Sequence, residues 1–103
     1  MSRKELDKLD LRKAVLINRT NFILVLRFRN TVYVPPKTAL NLSELFFRCN
    51  HSIVFHPIRK RFEIWKFEDQ VSAKQFLDQL YLELCRAMVK FHVASPTELV
   101  VGE

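Results

Sequence analysis

The chain has a single glycine among its 103 residues, Gly102. This excludes every glycine-rich phosphate cradle, which needs backbone at φ > 0 with no Cβ in the way of the phosphate. Tight left-handed turns are expected to fall to asparagine instead. Cysteine is also scarce. Cys49 and Cys85 are too few for a secreted disulfide framework. The longest uninterrupted apolar run is FILVL at 22–26, far shorter than the roughly 20 residues that span a bilayer. The N-terminal stretch MSRKELDKLD is charged and lacks the apolar core of a secretion signal. The expectation is therefore an intracellular protein of cytoplasm or nucleus. On that expectation the N-x-S/T triplets at Asn18, Asn41 and Asn50 are accidental, because glycosylation belongs to the secretory route. No repeat, low-complexity tract or linker interrupts the chain, so residues 1–103 read as one domain.

What the chain does have is apolar bulk and positive charge. Hydrophobic residues make up 49%, with nine Phe, two Tyr and one Trp, enough to build a core. Seventeen Lys and Arg against eleven Asp and Glu leave a net charge of +6. That surplus suits an anionic partner: nucleic acid, an acidic protein or a membrane surface.

Hydrophobic period and capping chemistry set the expected elements. Ser2 and Glu5 are spaced as a capping box for a short helix at about 3–11. KAVLI (13–17) and FILVLRFRN (22–30), separated by NRTN, suggest a hairpin. In the second run Phe22, Leu24, Leu26 and Phe28 fall on one face and read as core. TVYV (31–34) either continues that strand or returns after a bend at Asn30. PPK (35–37) then stops it, and whether 31–40 is strand or loop stays open. Asn41, Glu44 and the Leu40–Leu45 staple predict a helix at about 42–49. Residues 52–56 and 61–67 form a second hairpin with its tip at 57–60. An odd pairing sum, 56 opposite 61 or 56 opposite 63, puts Ile53, Phe55, Phe62 and Ile64 on one core face.

Ser72 and Gln75 open the longest helix, at about 72–91. Its apolar arc spans roughly 220°, where one sheet face needs only about 100°. Leu82, Cys85 and Val89 on the flank therefore call for a second neighbour. Leu99–Val101 is expected as an edge strand. The fold class is α+β: an antiparallel sheet of about 4–5 strands against the long helix and the short one, with a short N-terminal helix. From residue 22 onward the order resembles that of α/β plaits, RNA-recognition domains among them. The likeness is one of element order. RKRFEIWKF (59–67) has a basic start and alternating aromatics but none of the glycines of the RNA-binding strand motif.

One face gathers the candidate site. Ile23, Val25, Val54, Trp65 and Phe67 lie opposite the core face, rimmed by Arg27, Arg29 and Arg61. An apolar centre rich in Trp and Arg with a charged rim is how protein interfaces are built. The first expectation is a non-enzymatic interaction module, a small subunit of a larger complex or a homodimer. It would bind through Trp65, Phe67, Val54, Val25 and Arg27, together with Leu82 and Val89 on the helix flank. The second gives the same face to nucleic acid. Arg27, Arg29, Arg59, Lys60, Arg61 and Lys66 would meet phosphates and Trp65 would stack on bases. A hairpin whose charged stems merely lie along apolar surface uses the same residues.

Other chemistry finds less support. Cys49, His51 and His56, with Cys85 or His92, offer metal-ligating types without the paired spacing zinc sites use. Cys85 falls in the apolar arc, where a thiol is packing rather than a nucleophile. No spacing favours catalysis, so no enzyme, cofactor or metal is expected. The long helix carries Lys74, Arg86 and Lys90 offset by Asp78 and Glu83, too little basic charge for a membrane surface.

Overall fold

The computed structural model describes residues 3–28, 30–50, 54–56, 61–63 and 70–103, with side chains for 3–28, 30–46 and 73–103. It is α+β, as expected. A 3-10 helix at Arg3–Lys8 precedes β1 (Val15–Asn18), β2 (Leu24–Arg27), β3 (Thr31–Val34) and β4 (Thr38–Asn41). Then follow α1 (Leu42–Asn50), β5 (Val54–His56), β6 (Arg61–Glu63), α2 (Gln70–Arg86), β7 (Phe91–Ser95) and β8 (Glu98–Val101). Four strands form the main sheet in the order β4-β1-β8-β7; β2 pairs with β3 and β5 with β6 as separate ladders.

Several expectations need correcting. The sheet is mixed rather than antiparallel, because β1 runs parallel to β8 with Leu16 opposite Leu99. β8 is central, not an edge: Leu99, Val100 and Val101 are all buried. An apolar run without alternation is what a strand covered on both faces requires. The hairpin expected between 13–17 and 22–30 does not form. β1 takes β4 and β8 as neighbours, whereas β2 turns back at Asn30 onto β3, with Leu24 opposite Val34 and Arg27 opposite Thr31. Phe22 is 75% exposed rather than core. It lies in the connection before β2, where its carbonyl accepts from Asn18 Nδ2 at 2.9 Å. Leu24 and Leu26 are buried as expected, and Phe28 stacks on Phe76 at 5.6 Å.

The long helix runs from Gln70 to Arg86 instead of 72–91. It stops where Met88 turns left-handed, at φ 57°, and Phe91 enters β7. Among the described residues, positive φ outside glycine falls on Lys37 and Met88, not on asparagine. The second hairpin adopts the odd register, with His56 opposite Arg61 and Phe55 opposite Phe62. Its tip at 57–60 lies outside the described residues, as do Ile53, Ile64, Trp65 and Phe67.

The core sits on one face of the main sheet. Leu16, Leu99 and Val101 pack there with Leu6, Leu24, Leu26, Leu45, Leu80 and Leu84. Phe76 of α2 meets Phe46 of α1 edge-on at 5.2 Å, joining the two helices. Each such side chain contributes about 1.5–3 kcal/mol on full burial. The 3-10 helix closes one flank of α2, since Arg3 Nε donates to Asp78 Oδ1 at 2.6 Å.

Candidate interaction groove

α2 faces the core with Phe76, Leu77, Leu80 and Leu84. Glu83 falls on that same side, seven residues after Phe76 and three after Leu80, and is only 2% exposed. A buried carboxylate must be satisfied by donors. Glu83 Oε1 accepts the backbone N–H of Arg27 at 2.7 Å, and its Oε2 accepts from Arg86 Nη1 at 3.0 Å. Gln79, one turn earlier, donates from Nε2 to the Arg27 carbonyl at 3.2 Å. A carboxylate and an amide on the helix thus do for Arg27 what a neighbouring strand would do.

This arrangement fixes which way β2 points. The main-chain groups of Arg27 turn away from β3, toward α2. Residues two apart in a strand point their backbone groups the same way. The N–H and C=O of Val25 therefore also face away from β3. Beyond Arg27 the space between β2 and the end of α2 opens into a groove of about 450 Å³. Val25, Leu24, Ala87 and Val89 line its apolar part, and Thr20, Phe22 and Ile23 form the mouth. Arg27, Glu83 and Arg86 close its polar end. Phe22 and Ile23 stand 75% and 59% exposed there.

The mouth is held by Asn18, which is fully buried. Its Nδ2 donates to the carbonyls of Phe22, Val34 and Pro35 at 2.9, 3.0 and 3.2 Å. Its Oδ1 accepts from Thr20 N at 3.0 Å and Thr20 Oγ1 at 2.6 Å. One amide thereby sets the path of residues 18–22 and anchors it to the end of β3.

Of the interface residues expected from sequence, Val25, Arg27 and Val89 come together in this groove. Leu82 does not. At about 100° per residue it lies on the opposite side of α2 from Leu80, and it is exposed. Cys85 is exposed too, not packed in an apolar arc. The Tyr81 hydroxyl shares a hydrogen bond with Cys85 one turn on, which holds the phenol above its ordinary range. Trp65, Phe67, Arg29, Arg59, Lys60 and Lys66 lie outside the described residues, as do the side chains of Val54 and Arg61.

Ile23 was placed on the candidate face by sequence, whereas Phe22, Gln79, Glu83, Arg86 and Ala87 were not anticipated as site residues. Glu83 alone left a signal, a charge on the helical core period. Among the described residues no three His, Cys, Asp or Glu side chains gather as metal ligands. The candidate set of Cys49, His51 and His56 lies outside the described side chains. No described helix is long and apolar enough to cross a membrane. Comparison with protein-family models, curated proteins and solved structures found no match.

Proposed function

We propose that this chain is a protein-interaction module, a small subunit of a larger assembly, that engages its partner along the groove between β2 and the end of α2. The supporting observation is the exposure of Phe22 and Ile23 beside the apolar lining of Val25, Ala87 and Val89, with Arg27 and Arg86 at the rim. Apolar centres edged by arginine concentrate binding energy. Sequence nominated Val25 and Arg27 on that ground, and Val89 as part of the helix flank that calls for a second neighbour. On this reading the chain performs no reaction itself. The scarcity of cysteine motivates the intracellular placement, in cytoplasm or nucleus.

The test is photo-crosslinking of the whole chain in extract of its source cells, with a benzophenone residue at position 22 and, separately, at position 82. A specific protein adduct from position 22, absent from position 82 and lost when the exposed-residue change Ile23→Ser is added, supports the reading. Equal adducts from both positions, or none, overturn it. An adduct with nucleic acid at position 22 would hand the groove to the second reading, in which Arg27 would meet a phosphate.

A further inference from the structure

We propose that the groove accepts one extended segment of an acidic partner protein, added as a third strand to the β2–β3 ladder at Ile23 and Val25. This deepens the interaction reading and rests on it. Three observations lead here.

The first is backbone chemistry. Among the described residues β2 pairs only with β3. Its other edge is covered at Arg27 by Glu83 and Gln79, and among the described residues that cover ends there. Two residues away, Val25 turns its N–H and C=O to that same edge, which lines the groove, and Ile23, just before β2, stands at the mouth. Alternating donors and acceptors along an edge are matched by another extended backbone. The helix side chains already demonstrate the match at Arg27, where a carboxylate oxygen stands for a strand carbonyl and an amide for a strand N–H.

The second is shape. A cleft of about 450 Å³ lies in the size range of ligand sites. Its apolar part, Val25, Ala87 and Val89, suits the alternate side chains of a strand laid along β2.

The third is charge. Arg27 and Arg86 are exposed at the groove's polar end. Among the described residues the one carboxylate lining it, Glu83, is buried and already accepts three donors, Arg86 among them. Glu83 thus offsets one of the two arginines, the Arg27 guanidinium is left to meet an incoming acidic side chain, and the chain's surplus of +6 steers such a partner inward. A second copy of this chain suits the site poorly. It would bring Arg27 and Arg86 of both copies into one small interface. A nucleic-acid strand would satisfy the arginines but leave the Val25 backbone groups without partners.

The experiment is a titration of the full isotope-labelled chain, followed by amide NMR and hydrogen exchange. The probe is a blocked peptide alternating glutamate and valine. The controls are the same peptide with lysine for glutamate, one N-methylated along one edge, and oligothymidylate.

We expect a dissociation constant of about 100 µM, shifts confined to β2 and residues 83–89, and slowed exchange at the Ile23 and Val25 amides. The N-methylated and lysine peptides should bind at least about tenfold more weakly, and R27E should reverse the preference between glutamate and lysine peptides. No binding of the glutamate peptide at about 1 mM overturns the proposal. So does binding without protection of those amides, equal binding of the lysine peptide, or tighter binding of oligothymidylate at the same shifts. Concentration-dependent β2 shifts in the free chain would assign the edge to a second copy and overturn it as well. A protein adduct at position 22 that leaves the β2 amides unprotected removes the strand-addition proposal alone. Absence of any adduct removes the interaction reading on which it rests.

Discussion

Glu83 Oε1 lies 2.7 Å from the backbone nitrogen of Arg27, fifty-six residues away in the chain. A helix carboxylate thus completes a strand edge, and the groove begins where that substitution ends. Its removal is expected to be expensive in stability. Glu83→Ala leaves the part-buried Arg27 N–H without its acceptor and should destabilise by about 1–3 kcal/mol, read as a lower urea midpoint. Glu83→Gln keeps an acceptor oxygen and should lose about half as much. Equal losses for both would mean that the charge, not the acceptor, matters.

Asn18 gathers three carbonyls and two Thr20 donors at one buried amide. Asn18→Asp replaces the donating nitrogen with an oxygen that faces those carbonyls. We expect a loss of about 2–4 kcal/mol by chemical denaturation, with faster amide exchange at Thr20 and Phe22. A loss below about 0.5 kcal/mol would show that residues 18–22 hold their path without it.

Two left-handed positions predict changes of opposite sign. Met88, 91% exposed at φ 57°, occupies the site after a helix where glycine is favoured. Met88→Gly should stabilise by about 0.5–1 kcal/mol and raise the melting midpoint. Gly102 at φ 97° would place an added Cβ 3.1 Å from Thr20 Cγ2 and 3.3 Å from Thr20 N. Gly102→Ala should therefore destabilise by about 1–3 kcal/mol. Thr20 is hydrogen-bonded to Asn18, so the displaced loop should show the same exchange pattern as Asn18→Asp. If both variants shift the midpoint the same way, backbone strain is not the cause.

Lys90 Nζ and Glu103 Oε1 stand 2.8 Å apart on the surface. Their hydrogen bond and mutual attraction raise the lysine and lower the carboxylate from their ordinary values. The carboxylate's contribution is present above its ordinary value of 4.5 and fades as pH falls through its lowered one. The lysine's contribution is present below 10.5 and fades as pH rises through its raised one. Stability from this pair is therefore flat across neutral pH. In Lys90→Met the Glu103 carboxyl, followed by NMR, should titrate at higher pH than in the parent. An unchanged titration would mean the pair does not persist in solution.

The local pattern of the chain determined much of this protein. Leu77, Leu80 and Leu84 on a helical period specify α2 and its buried side. The Asn41 and Glu44 spacing placed the start of α1, and the alternation about 57–60 specified an odd register for the second hairpin, of which the structure takes His56 opposite Arg61. All three are short-range, because a side chain's direction follows from its own backbone period.

Tertiary structure alone decided who covers whom. Leu16 shows that it is apolar but not that its parallel neighbour is Leu99, at the far end of the chain. Glu83 stands on the helical core period, but the amide fifty-six residues away that it accepts from is visible only in the fold. Val25 and Val89 line one groove because α2 stops short of Val89, at the left-handed turn of Met88. Pairings of this kind depend on loop closure and on the satisfaction of buried polar groups across the whole chain, which no local window contains.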